Sequence, residues 1–187
     1  LVERERRLEL AIRIVGRRET MARQRGALRV ELEQLLGERL HAADAAADDA
    51  EAAMRWASQH LDELGGQGKP LAVGGDSAGG NLSAAACLGL RDDTRAKVKP
   101  AFQLLIYPAT IMWPDTPSFH ANGKGYMLTK ESIAYYTENY LRDREDAKDW
   151  RASPQLATSH ANLPPAFVMT AGFDPLRDEG LMYADAL

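Results

Sequence analysis

The stretch Leu71–Leu82, LAVGGDSAGGNL, places one serine between two apolar runs. The residues before it, KPLAVGG, predict a short buried strand, and NLSAAACLGL after it predicts a helix. Gly75 and Gly79 flank Ser77 at two residues on either side, where a Cβ would crowd a tight strand-to-helix turn. We therefore predict that the turn Gly75–Gly79, which we call the serine turn, raises the Ser77 hydroxyl above the sheet edge.

The serine turn has two chemical interpretations. Its G-x-S-x-G pattern is typical of a nucleophilic serine when it joins a strand to a helix, and the backbone N–H of Ala78 would then face a developing oxyanion. Glycine-rich turns in the same position also bind phosphate groups or simply cap a helix. The predicted strand and helix favour the nucleophile, and we assign Asp76 a role in orienting nearby loops but no direct catalytic step.

Strands and helices alternate on both sides of the serine turn. The segments AFQLLIYP, ending at Pro108, and AFVMTAG predict two more strands. Helices are predicted in KESIAYYTENYL, with Thr129 as N-cap, and in RDEGLMYADAL, whereas residues 111–125 read as loop. This order predicts an α/β fold with a mostly parallel sheet and helices on both faces.

A further helix is predicted upstream of the serine strand. It begins near Asp48, and Gly65 and Gly66 end it. Its apolar face is formed by Ala50, Ala53, Met54, Ala57, Leu61 and Leu64.

Residues 1–44 differ in composition from the rest of the chain. The segment Leu1–Ala43 holds ten arginines, seven glutamates and no lysine. Its apolar periodicity predicts two amphipathic helices, although LRVEL also fits a short strand. The interspersed glutamates favour a solvated face over a surface for an acidic partner or a membrane. We predict two units, an arginine-rich helical segment at 1–44 and a partial α/β domain at 45–187.

Composition excludes several classes of protein. The sequence contains no apolar run of the ~18 residues that a membrane helix needs, and its charged start is unlike a signal peptide. A net charge of −4 does not indicate the positively charged surface that nucleic-acid binding requires. The lone cysteine, Cys87, cannot form an intrachain disulfide and suits a packed helix. We expect a cytoplasmic protein that needs no metal or cofactor.

Four segments together resemble the hormone-sensitive-lipase-like family of bacterial esterases, within the α/β-hydrolase fold. They are AADDAEAAMRWASQH, GGDSAGGNL, AFQLLIYPAT and LPPAFVMTAGFDPLRDEG, in the family's order. The resemblance implies a serine nucleophile at Ser77, an acid at Asp174 and a small-molecule ester with a short or medium acyl group. It also implies a cap-like excursion at about 111–150.

Some residues of the matched motifs have plainer interpretations. Asp174 could simply begin a turn before Pro175. Asp178 and Glu179 fit the first turn of a helix and need no chemistry. Tyr136 and Tyr140, at helical spacing, fit packing against the sheet as well as an acyl pocket. The aromatic residues of the excursion that could line such a pocket are Trp113, Phe119, Tyr126, Tyr135, Tyr136 and Tyr140.

Two parts of the family's catalytic machinery have no counterpart in the sequence. The four histidines, His41, His60, His120 and His160, all precede Asp174, whereas the resemblance calls for a histidine after it. No His-Gly-Gly-Gly run precedes Ser77 to supply the rest of an oxyanion hole.

We therefore expect an ester hydrolase whose activity is impaired in this chain. The alternative is a non-catalytic small-molecule-binding protein or an inactive relic of the fold. An incomplete sheet would also expose apolar surface, through which a homodimer could form.

Overall fold

The computed structural model describes residues 42–94 and 98–187. The helices and strands of these residues are α1 (Ala42–Gln59), β1 (Ala72–Asp76), α2 (Ala78–Asp92), β2 (Phe102–Ile106), α3 (Pro117–Asn122), α4 (Lys130–Tyr140), β3 (Ala166–Met169) and α5 (Arg177–Ala186). Two short 3-10 helices, Glu145–Lys148 and Pro154–Leu156, precede β3. The helices or strand predicted before residue 42 lie outside the described residues, and the boundary at residue 44 stays a prediction.

The three predicted strands form one parallel sheet in the order β1-β2-β3. Asp76 at the end of β1 lies opposite Ile106, and Ile106 lies opposite Met169 at the end of β3. The carboxyl ends of all three strands therefore meet at one edge of the sheet, where parallel sheets place their binding sites.

In the described part of the chain, helices cover one face of this sheet. Helix α2 packs on β1 and β2, α5 packs on β3, and α1 packs on the outside of α2. Buried Leu105 joins Ala84 of α2 and Tyr183 of α5 in a single apolar cluster.

The opposite face of the sheet is exposed, and its large apolar side chains are 38–55% accessible: Phe102, Leu104, Phe167 and Met169. The prediction of helices on both faces is thus met on one face only among the described residues. Helices α2 and α5 both pack on the Leu105 side of the sheet, and α1 packs against α2.

Helix α1 begins earlier and ends earlier than predicted. It runs from Ala42 to Gln59, because the alanine-rich start has high helix propensity. Its buried positions are Ala43, Ala47 and Met54, and Met54 packs with Leu90 and Val98. Leu64, predicted on the apolar face, lies beyond the helix and is exposed.

The region between β2 and β3 contains one helix that the sequence analysis missed. Helix α3 lies within the predicted loop, where the Thr116 hydroxyl accepts a hydrogen bond from the Phe119 N–H at 3.2 Å and Pro117 occupies the first turn. Six residues are too few for periodicity to reveal it. The helix predicted after Thr129 is confirmed as α4, and the Thr129 hydroxyl accepts from the Ser132 N–H at 3.2 Å.

None of the helices in residues 42–94 and 98–187 has both the length and the apolar content that crossing a bilayer requires.

Candidate active site

Ser77 has a backbone conformation that side-chain-bearing residues rarely adopt. Its φ is 52° and its ψ is −117°, at the junction of β1 and α2. The Ser77 N–H donates to the Ile106 carbonyl at 2.9 Å, which anchors the turn to the neighbouring strand. A serine at a helix N-cap ordinarily accepts a backbone N–H, but the Ser77 side chain makes no such bond. The hydroxyl is therefore not used to cap α2.

Contacts around the glycines explain why the serine turn is possible. A Cβ on Gly75 would lie 2.5 Å from the Gly79 carbonyl carbon, so any larger residue collides with the backbone of α2. A Cβ on Gly80 would lie 2.8 Å from Pro108 Cβ, whereas one on Gly79 would meet nothing within 4 Å. The predicted crowding is correct at Gly75 and wrong at Gly79, because the first turn of α2 directs a Gly79 Cβ into open space.

Asn81 connects α2 to two loops near the serine turn. Its side-chain N–H₂ donates to the carbonyl oxygens of Ala109 and Ala152, both at 2.7 Å. Asn81 is almost fully buried, so water cannot replace these bonds. The sequence pattern did not indicate a role for Asn81. The only feature that pointed to it was its position four residues after Ser77.

Replacing Asn81 by alanine is expected to lower the free energy of unfolding by about 2–4 kcal/mol, because one buried and one partly buried carbonyl lose their donor. Urea denaturation of both proteins measures the difference. Asn139→Ala is the matched control, since the Asn139 amide bonds the Tyr135 carbonyl on an exposed surface. Equal losses in the two variants would contradict this role of Asn81.

The loop after β2 reaches back to the serine. The Ala109 N–H donates to the Ser77 carbonyl at 3.3 Å, and the Asn81 N–H donates to the same oxygen at 3.1 Å. Tyr107, at the start of this loop, has a φ of 35°, and its N–H donates to the Met169 carbonyl at 2.6 Å. Strained backbone therefore follows both β1 and β2 at the carboxyl edge of the sheet.

Asp174 lies at the same edge, on the turn after β3. Its Oδ1 accepts the Leu176 N–H at 2.9 Å, which is the turn geometry expected of an Asp-Pro sequence. The Asn122 side chain donates to the Asp174 carbonyl at 3.3 Å and so joins α3 to this turn. Within residues 42–94 and 98–187, no residue donates to Asp174 Oδ2.

The two acids that follow Asp174 each hold a different segment. Asp178 accepts the Ser118 N–H at 2.7 Å, and hydrogen bonding to Arg177 holds the pKa of Asp178 below its usual range. Glu179 is fully buried. Its Oε1 accepts the Thr110 N–H at 2.6 Å and the Ile111 N–H at 3.2 Å.

Burial raises the pKa of Glu179 to about 8, with a smaller contribution from the charge of Asp174. The prediction that Glu179 belongs to the first turn of α5 is correct, but its interpretation as an ordinary helix-start acid is wrong. An exposed acid at a helix start stabilises the helix dipole. Glu179 instead faces the core, as only the packing of α5 against the β2 loop could reveal.

The described histidines bond to groups other than Asp174, and His41 lies outside the described residues. Their ring nitrogens contact the Trp56 carbonyl (His60, 2.8 Å), the Asp115 carboxylate (His120, 2.5 Å) and the Pro154 carbonyl (His160, 3.0 Å). None of these three histidines forms a hydrogen bond with Asp174 or with the Ser77 hydroxyl.

The aromatic residues of the excursion separate into different environments. Tyr126 stacks on Phe173, next to Asp174, with ring centroids 5.5 Å apart. Tyr136 is 63% exposed, whereas Tyr140 packs with Leu141 and Ala147 in a cluster away from the sheet. Packing against the sheet is therefore wrong for both Tyr136 and Tyr140.

Cys87 is buried in α2, as predicted, and burial raises the pKa of its thiol to about 12. Across residues 42–94 and 98–187, no three His, Cys, Asp or Glu side chains are grouped in a way that could hold a metal ion.

The chain is similar in sequence to known ester hydrolases. The chain is 49% identical over 151 residues to the carboxylic ester hydrolase LipN of Mycobacterium tuberculosis, covering 79% of this chain and 40% of LipN. It is 39% identical over 150 residues to the carboxylesterase NlhH of the same species, covering 79% of this chain and 46% of NlhH. The chain thus spans less than half the length of these relatives.

A solved structure of an ester hydrolase from the metagenome of Lake Arreo, in complex with a bipyridine phosphonate derivative, is also similar. It has 47% identity and a TM-score of 0.70, with 75% of this chain and 44% of that chain covered. The alpha/beta hydrolase fold family matches residues 40–187, including the serine turn, the three strands and the Asp174 turn. The chain therefore belongs to the alpha/beta hydrolase fold family.

Proposed function

We propose that this chain carries the nucleophile and the acid of a carboxylic ester hydrolase. The observation that carries the proposal is the backbone of Ser77, with a φ of 52° and a hydroxyl that does not cap α2. Such strain persists only where the surrounding structure holds it, and it concentrates at catalytic residues. Similarity to LipN and NlhH supports the same reaction.

In this proposal Ser77 Oγ attacks the acyl carbon of a small-molecule ester. The Ala78 N–H is the oxyanion donor, because the first N–H groups of a helix have no intrahelical partner and Ala78 begins α2. Gly75, Asp76 and Gly79 shape the serine turn. The bond to the alcohol group then breaks, and water releases the acyl group from Ser77.

Asp174 would orient a histidine that takes the Ser77 proton. Strands β1 and β3 are separated by β2, so the loops that carry the two residues begin roughly 10 Å apart. An imidazole between them is needed to connect acid and nucleophile. Since no described histidine bonds to Asp174, we propose that this chain on its own is a poor esterase.

The second candidate function is binding of a small molecule without catalysis. The observation that favours it is that the described histidines bond elsewhere. A preference for short or medium acyl groups, a cytoplasmic location and a homodimer stay predictions for either function.

Reaction of the purified chain with a fluorophosphonate in the presence of added imidazole tests which function applies. The probe phosphonylates only an activated serine, and free imidazole can take the Ser77 proton in place of the histidine that is not bonded to Asp174. Ser77→Ala is expected to reduce labelling by about a hundredfold or more. Ser83→Ala is the matched control, since Ser83 lies in the same helix and its hydroxyl donates to the Gly79 carbonyl at 2.8 Å. Labelling of Ser83→Ala should stay near that of the unmodified chain.

Absence of labelling with imidazole present, in a chain with a folded circular dichroism spectrum, would reject the hydrolase and favour the binding protein. Labelling that persists in Ser77→Ala would place the reactive serine elsewhere.

A further inference from the structure

A buried carboxyl group, that of Glu179, takes no part in the proposed chemistry. Glu179 has no exposed surface, and its Oε1 accepts two consecutive backbone N–H groups, those of Thr110 and Ile111. The Thr110 hydroxyl donates to the Glu179 carbonyl at 3.0 Å, so a second hydrogen bond joins Thr110 to Glu179. Glu179 Oε2 is buried without a partner in the described part of the chain.

The segment held by Glu179 is also the segment that holds Ser77. Ala109, directly before Thr110, donates its N–H to the Ser77 carbonyl, and its own carbonyl accepts from Asn81. An unbroken series of hydrogen bonds and one peptide unit therefore joins Glu179 on α5 to Ser77 at the start of α2.

The loop that connects Glu179 to Ser77 lies between two residues with strained backbone conformations. Ser77 and Tyr107 both have positive φ. The loop 107–111 begins at Tyr107 and is hydrogen-bonded to Ser77. A backbone in such a conformation relaxes unless several contacts hold it. The two hydrogen bonds between Glu179 and Thr110 are buried, so water does not compete with them.

We propose that Glu179 is a positioning residue for the nucleophile: its carboxyl oxygen holds the loop 107–111 so that the Ala109 N–H keeps Ser77 in its strained conformation. The consequence for catalysis rests on the proposed function, but the structural link does not. Because α5 also follows the Asp174 turn, one helix would set the positions of both the acid and the serine.

Site-resolved amide hydrogen exchange measured by NMR tests this link without any substrate. In Glu179→Leu, which keeps the volume and removes the acceptor, the N–H groups of Ala109 and Asn81 should exchange about tenfold faster or more. Glu179→Gln keeps an acceptor oxygen and should stay within about threefold of the unmodified chain.

Asp178→Asn is the matched control, since Asp178 bonds Ser118 of α3 rather than the loop 107–111. It should leave the exchange of Ala109 and Asn81 unchanged. Faster exchange at Thr110 and Ile111 alone, with Ala109 and Asn81 unaffected, would overturn the proposal and leave Glu179 a local loop anchor.

Should Glu179→Leu not fold, the unmodified chain provides the second measurement. In low urea concentrations the N–H groups of Thr110, Ala109 and Asn81 are expected to open with one common free energy. Separate opening of Thr110 would overturn the proposal. Since neither measurement uses the reactivity of Ser77, failure of fluorophosphonate labelling and failure of the link are distinguishable.

Discussion

Replacing Gly75 by alanine is expected to lower the free energy of unfolding by about 3 kcal/mol, among the largest effects of any single methyl group in this chain. The new Cβ would lie 2.5 Å from the Gly79 carbonyl carbon and 2.6 Å from its oxygen. Both atoms are backbone, so no side chain can rotate away. Relief requires β1 and α2 to separate, which disturbs the bond between the Ser77 N–H and the Ile106 carbonyl.

Urea denaturation measures this loss, and Gly79→Ala is the matched control. A Cβ on Gly79 meets nothing within 4 Å, and alanine is favoured over glycine in a helix by up to about 1 kcal/mol. Gly79→Ala should therefore be neutral or stabilising. If both variants lose the same stability, the collision between strand and helix is not what restricts Gly75 to glycine.

The free energy of unfolding is expected to fall as the pH rises from about 4.5 to about 8 because of Glu179. Burial raises the pKa of this carboxyl in the folded chain to about 8, from an ordinary value of 4.5. Between these values the folded chain holds the proton and the unfolded chain does not. The stabilisation contributed by neutral Glu179 is therefore fully present below the pKa of Glu179 in the unfolded chain. It is lost as the pH rises through the pKa of Glu179 in the folded chain.

Chemical denaturation across this pH range measures the slope, which for one such group is at most about 1.4 kcal/mol per pH unit. Glu179→Gln removes the titrating group, keeps the shape of the side chain and should flatten the dependence. Asp178→Asn is the control: Arg177 lowers the pKa of Asp178 from its ordinary value of 3.8, so Asp178 is ionised in both states above pH 4.5 and its variant should keep the slope of the unmodified chain. Identical pH dependence in the unmodified chain and Glu179→Gln would contradict a buried, neutral Glu179.

The sequence predicted the elements that have strong local signals. Apolar runs predicted all three strands, and the G-x-S-x-G pattern predicted the turn at Ser77. Thr129 predicted the start of α4. These succeeded because apolar runs, glycine spacing and helix caps act over a few residues.

Local signals were insufficient elsewhere. Helix α3 is too short to show periodicity, and the apolar spacing that includes Leu61 and Leu64 continues past the end of α1 at Gln59. Burial of Asn81 and Glu179 depends on residues that are 28 and 69 positions away in the chain. No pattern near either residue distinguishes it from an exposed one.

By itself, the sequence determined that this chain forms a parallel α/β sheet with a serine on a glycine-flanked turn, because strand, turn and helix preferences are encoded in neighbouring residues. Only the tertiary structure decided which glycine is sterically required and which acid is buried. It also decided which sheet face the helices cover. Those properties come from packing between distant segments, where the carboxyl group of Glu179 accepts hydrogen bonds from backbone N–H groups instead of from water.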